Sequence, residues 1–244
     1  VRNIKLTIQY DGTRYSGWQI QKNGRAIQQV IRDAIKKITG EKVNLIGSGR
    51  TDAGVHAEAQ VANFKTKTLL PLKNIYRALN SELPEDIVIS GVEEVKLNFD
   101  AQRLAKSKLY RYTIFNSDFV DPFVRKYAAK CFYKLDLGAM RKAAKILVGR
   151  HDFTSFQTVD GRTSSAIRTV RQIKFEKRGC LVYIYVEGNG FLYNMVRSIA
   201  GTLVEVGRGK FSVGYVKKIL ANKDRRCSGP TMPARGLCLV RVDY

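Results

Sequence analysis

Along its first third the chain switches hydrophobic period between two and 3.6, and that alternation restricts it to mixed α+β architectures. Ile4, Leu6, Ile8 and Tyr10 alternate with polar neighbours, the pattern of a half-buried strand. Ile27, Val30, Ile31, Ala34, Ile35 and Ile38 then recur at helical spacing and stop at Gly40, a residue suited to ending a helix. The short apolar runs "VNLI" and "QVANFKT" read as strands on either side of a glycine-rich loop. Pro71 opens a second helix with Leu72, Ile75 and Leu79 on its apolar side, and Pro84 ends it before the strand "DIVIS".

The resulting order, β-α-β-β-α-β, is the ferredoxin-like arrangement. A second half opens with the alternating run "KLYRYTIF". It continues through a helix at "DLGAMRKAAKILVG", a hairpin turning near Arg178 and Gly179, a helix over residues 191–206, a shorter helix at "VGYVKKIL" and a closing strand at "GLCLVRVDY". No repeat is visible in the residues themselves. The fold expected is α+β: two ferredoxin-like or RRM-like halves with a continuous, mostly antiparallel sheet, helices on one face and a cleft between the halves. The expected division is 1–103 and 104–244, with no Pro/Gly-rich linker at "DAQRLAKS".

The glycine-rich loop "GSGRTDAGVHA", Gly47–Ala57, holds Arg50, Thr51, Asp52 and His56. An aspartate in such a loop can cap a helix, bind a metal, act as a base or attack a substrate. The chain's other residues narrow the choice. Cys131, Cys180, Cys227 and Cys238 show no C-x-x-C spacing, and the only histidines are His56 and His151, so a His- or Cys-based metal site is not expected. Lys and Arg number 43 against 21 Asp and Glu, a net charge of +22 spread over the whole chain, which points to a polyanionic partner. No apolar run approaches the ~18 residues of a membrane span and no signal-peptide pattern opens the chain, so a cytoplasmic location and a nucleic-acid partner are expected.

Five ordered blocks, "GSGRTDAGVHA", "KSKLYRYTIFN", "GRHDFTSF", "GNGFLYNMVRSIAGTLVEVG" and "MPARGLCLVRVDY", resemble the TruA family of tRNA pseudouridine synthases over essentially the whole chain. The resemblance implies conversion of uridine to pseudouridine at nucleotides 38, 39 and 40 of the tRNA anticodon stem-loop, by a homodimer that uses no cofactor and no metal. It implies Asp52 as the catalytic aspartate and Arg197, from the N-M-V-R block, as the cation that pairs with it. It also implies that Tyr110 stacks on an extruded uracil, that Arg50 manages the opened stem and that Leu237 packs against the base.

Other readings apply to the same residues without the resemblance. Tyr110 would be a core aromatic sharing a strand face with Tyr112, Arg50 a surface charge, Arg197 a solvated helix arginine and Leu237 a core leucine. His56 would contact phosphate or cap the loop, and His151 with Asp152 would order the rim or form a structural pair. Lys108, Arg111, Arg168, Arg171 and Arg208 are candidates for a phosphate track. Two rival functions are a basic RNA-binding module without catalysis and a metal-dependent nuclease using Asp52. The strand residues Ile4, Leu6 and Ile8 lack the aromatic platform of the first, and the Asp52 loop lacks the extra carboxylates of the second.

Overall fold

A computed structural model describes residues 1–158 and 165–244. Among these residues it contains ten strands, most of them paired antiparallel, and five α-helices, an α+β fold. They form two compact units, Val1–Lys106 with Cys238–Tyr244, and Ser107–Leu237.

The first unit runs β1 (Arg2–Tyr10), α1 (Ile27–Thr39), β2 (Ile46–Gly47), β3 (His56–Thr66), α2 (Leu72–Glu82) and β4 (Ile87–Val95). Ile4, Leu6, Ile8 and Tyr10 of β1 are buried, as are Ile27, Ile31, Ala34 and Ile35 of α1, so the two periodicities meet in one core. The sheet order is β4-β1-β3, with β2 beside β3. That is the 4-1-3-2 order of a ferredoxin-like unit.

Strand β2 is much shorter than the run "VNLI" suggests. Val43 and Leu45 are buried, but the Gln28 side chain donates to the Leu45 carbonyl at 2.8 Å and so takes the place of a ladder bond. Strand β3 is longer than expected, beginning at His56, because β1 pairs with it as far as Tyr10 opposite Ala57.

One edge of β3 is divided between two short partners. Ile46 and Gly47 of β2 pair antiparallel with Asn63 and Ala62. The last strand of the chain, β10 (Leu237–Asp243), pairs in parallel with the start of β3, Cys238 opposite His56 and Leu239 opposite Ala57. The loop 48–55 leaves β2 and re-enters β3 beside that parallel pair.

The second unit runs β5 (Ser107–Asn116), β6 (Ala129–Cys131), α3 (Leu137–Leu147), β7 (Gly149–Asp152), β8 (Ile167–Arg178), β9 (Leu181–Gly188), α4 (Met195–Gly207) and α5 (Tyr215–Asn222). Its strand order is β6-β5-β9-β8-β7. The core triplet β5-β9-β8 has the same antiparallel pairings as β1-β3-β2 in the first unit. The duplication absent from the residues is therefore present in the topology.

Helix α4 starts later than its apolar spacing suggests. Asn194 sits in the left-handed region at φ 62, which breaks the helical run between Phe191 and Met195.

Candidate functional site

In the first unit the loop carrying Asp52 lies on the segment 10–18, "YDGTRYSGW". Trp18 donates its backbone N–H to the Thr51 carbonyl at 3.0 Å, and Gly54 donates to Tyr15 at 3.3 Å. Gly12 and Gly17 lie against the loop so closely that no side chain fits. A Cβ on Gly12 would stand 2.0 Å from the Val55 carbonyl oxygen, and one on Gly17, which also has φ +94, would stand 2.4 Å from that of Thr51. Trp18 is buried against Gly47. Within the loop the Val55 N–H closes a turn onto the Asp52 carbonyl at 3.1 Å.

This cradle holds the backbone of Thr51, Asp52 and Val55 while leaving Asp52 half-buried and Arg50 exposed. His56 is turned inward, behind the loop: its Nδ1 accepts the Gly12 N–H at 3.1 Å and lies 3.2 Å from Asp11 Oδ1. The two contacts ask for opposite protonation of one nitrogen, since the Gly12 N–H needs a lone pair and the Asp11 carboxylate needs a proton.

In the second unit Tyr110 is buried on β5, its ring edge-to-face with Phe191 at 5.3 Å. Arg197, in the first turn of α4, is held by two bonds: Nε donates to the Met232 carbonyl at 2.7 Å and Nη1 to Asn194 Oδ1 at 2.6 Å. Together they fix the plane of the guanidinium. The segment 228–233 that carries Met232 is strapped onto α4. Gly229 donates to Thr202 Oγ1 at 2.9 Å, and Ser228 Oγ donates to the Ser155 carbonyl at 2.6 Å, which ties in "HDFTSF". Leu237, at the head of β10, is buried. Tyr112 donates its hydroxyl to the Pro233 carbonyl at 2.8 Å, and burial pushes that phenol well above its ordinary range.

The strap depends on Gly201, where a Cβ would lie 1.9 Å from the Pro230 carbonyl oxygen. Gly201→Ala is expected to destabilise the chain by about 3 kcal/mol, the upper end of ordinary overpacking. For a chain of this size that is a fall in Tm of about 6–12 °C in a calorimetric scan.

The basic candidates separate by environment. Arg208 is engaged with Glu205 at 2.9 Å and lies over the Tyr133 ring at 4.5 Å, and Arg171 stands 3.8 Å from Glu187. Arg168 donates to the carbonyls of Ser165 and Ile167, Arg111 lies over Tyr183 at 5.8 Å, and desolvation lowers the Lys108 ammonium from its usual value. His151 Nε2 is 3.0 Å from the Val148 carbonyl. Asp152 accepts from the Thr154 hydroxyl and N–H and pairs with Lys223 at 3.0 Å, contacts that hold its carboxyl below the usual range. The pair is thus built into the scaffold. Among the described residues no three His, Cys, Asp or Glu side chains form a metal ligand set.

Several residues that shape these sites stand outside the sequence blocks singled out above. In "YDGTRYSGW" two glycines and the chain's single tryptophan in one short loop signal a close backbone approach. Asn194 gave no signal at all.

The geometry places a half-buried carboxylate on a loop held by its backbone, in a strongly basic α+β chain. Comparison with known proteins is more specific. A family model described as tRNA pseudouridine synthase matches residues 6–102 and 143–244. Over the full length of both chains, the protein is 48% identical to tRNA pseudouridine synthase A 2 of Clostridium perfringens. It is 48% identical to tRNA pseudouridine synthase A of Thermoanaerobacter sp. and 46% to that of Acetivibrio thermocellus, again over the whole of each chain. The chain belongs to the tRNA pseudouridine synthase family, isomerases that convert uridine to pseudouridine in tRNA.

Proposed function

We propose that this chain isomerises uridines 38, 39 and 40 of the tRNA anticodon stem-loop, with Asp52 as the nucleophile. The observation that carries the reading is the cradle of Asp52: Gly12, Gly17 and Trp18 hold the loop backbone on either side of it, while the residue itself remains half-buried. A nucleophile needs an ionised carboxylate held close to its target, and a pre-ordered loop supplies the placement.

The reaction breaks the N1–C1′ bond, turns the uracil and joins C5 to C1′. The C5 hydrogen leaves to water and N1 gains a proton, so the isomerisation is balanced without a co-reactant. Arg197, its guanidinium plane fixed by Met232 and Asn194, is the cation assigned to keep the carboxylate charged. Uridines in or beside a stem must leave the stack, at a cost of about a few kcal/mol. Tyr110 and Leu237 are the apolar surfaces assigned to the extruded base, and Arg50, exposed on the loop, the charge that meets the opened stem.

Incubation with tRNA tritiated at uridine C5 tests the reading. Release of label to water is expected from tRNAs with uridine at these positions, and none from tRNAs lacking them. Release that ignores those positions would overturn the site assignment.

A homodimer is part of the same proposal. Phe119, Phe123, Phe132 and Tyr133 lie close in sequence within the second unit and are exposed, Phe123 at 89% and Phe132 at 67%. These exposed aromatics are the apolar surface the partner copy would cover, and a chain of net charge +22 needs apolar contact to join its own copy. Phe123→Asp with Phe132→Asp is expected to shift sedimentation from dimer to monomer, and an unchanged dimer would place the interface elsewhere. The exposed thiol of Cys180 supports a reducing, cytoplasmic setting.

A further inference from the structure

Strands β1 and β3 enclose a chain of buried polar side chains that the fold itself does not require. Gln60 and Ser48 are fully buried, and Tyr10 and Thr51 nearly so. Apolar residues of similar size would fill the same volume without any need for partners.

The hydrogen bonds have a direction. Ser48 Oγ donates to Gln60 Oε1 at 2.6 Å, the Val61 N–H donates to the same oxygen at 3.2 Å, and Gln60 Nε2 donates to the Gly49 carbonyl at 2.9 Å. These contacts settle which way the amide points. The Tyr10 hydroxyl shares a hydrogen bond of 2.8 Å with Thr51 Oγ1.

Gln60, bonded to Ser48 and Gly49, and Tyr10, bonded to Thr51, therefore pin the loop at residues 48, 49 and 51, immediately before Asp52. Tyr10 projects from β1 and Gln60 from β3, so the loop is referred to two rigid strands. We infer that Tyr10 and Gln60 are positioning residues for Asp52, acting through Thr51 and Gly49 to hold the aspartate's backbone in its reactive placement. The inference rests on the reading of Asp52 as nucleophile.

A misplacement of about 1 Å at a reacting group is enough to cost about 100-fold in rate. Tyr10→Phe in the full-length chain is expected to lower kcat for tritium release by about 10- to 100-fold, with KM for tRNA within about twofold. Thr51→Val should do the same and Thr51→Ser should restore most of the rate. The double variant Tyr10→Phe, Thr51→Val should be no slower than the slower single variant, because both remove one hydrogen bond.

A general loss of structure would instead move KM and Tm, and Thr51→Ser would not distinguish itself from valine. Wild-type kcat in Tyr10→Phe, or losses that multiply in the double variant, would overturn the inference. If Tyr10→Phe does not fold, the Thr51 pair decides alone. Asp52→Ala serves as the separating control. Its inactivity beside a fully active Tyr10→Phe rejects the positioning role and spares the nucleophile, whereas activity in Asp52→Ala rejects both.

Discussion

Asp52→Ala will release no tritium above background, a loss of about 10⁴-fold or more in kcat, while tRNA binding measured by filter retention stays within about threefold of wild type. The alanine fits the loop, because the cradle holds Asp52 through its backbone and the substitution adds no atoms. The loss therefore reports chemistry. Asp52→Asn keeps the shape and removes the charge, and it should be equally inactive. Asp52→Glu keeps the charge but extends it by one methylene from a backbone fixed by Gly12 and Gly17, and should lose about 100-fold. The order wild type, Glu, then Ala and Asn together is the signature of an ionised nucleophile in a fixed position. Turnover in Asp52→Ala near that of wild type would remove the central assignment.

The second large effect concerns binding. With a net charge of +22, much of the affinity for tRNA must come from phosphate contacts and the counterions they release. If about 6–10 phosphates are met, the dissociation constant will rise by about 10³- to 10⁵-fold between about 50 and 200 mM salt, somewhat less where the RNA is single-stranded. Titration of labelled tRNA at several salt concentrations measures the slope. A flat response would show that the basic surface does not carry binding. Among the candidates for that surface, Arg208 already has its guanidinium engaged with Glu205. Replacing Arg208 should therefore change the slope least.

The regular elements of the first unit were legible because each owes its existence to a local pattern. β1 follows its alternation, α1 stops before Gly40, and α2 ends before Pro84. The hairpin of the second unit turns at Gly179 and Cys180, beside the expected turn. What remained illegible depends on partners distant in sequence. β2 shrank because a glutamine side chain from α1 takes its carbonyl, and α4 began late because Asn194 adopts a left-handed backbone.

The candidate site divides in the same way. The Asp52 loop announced itself by glycines around a carboxylate in a basic chain. What fixes it did not, because Tyr10 reads as the last apolar member of a strand and the partner of its hydroxyl lies 41 positions along the chain. A period describes which side of a strand a residue takes. It says nothing about where the polar end of that residue finds its bond.

The division of β3's edge between β2 and β10 has a consequence for biosynthesis. Strands β1 to β4 are translated early, but the parallel neighbour at His56 and Ala57 emerges only after the whole second unit has been made. Until then the first unit has an open edge beside the loop that carries Asp52. Such long-range pairing closes slowly. A nascent chain on the ribosome therefore carries its aspartate loop next to an unfinished sheet until the final strand pairs.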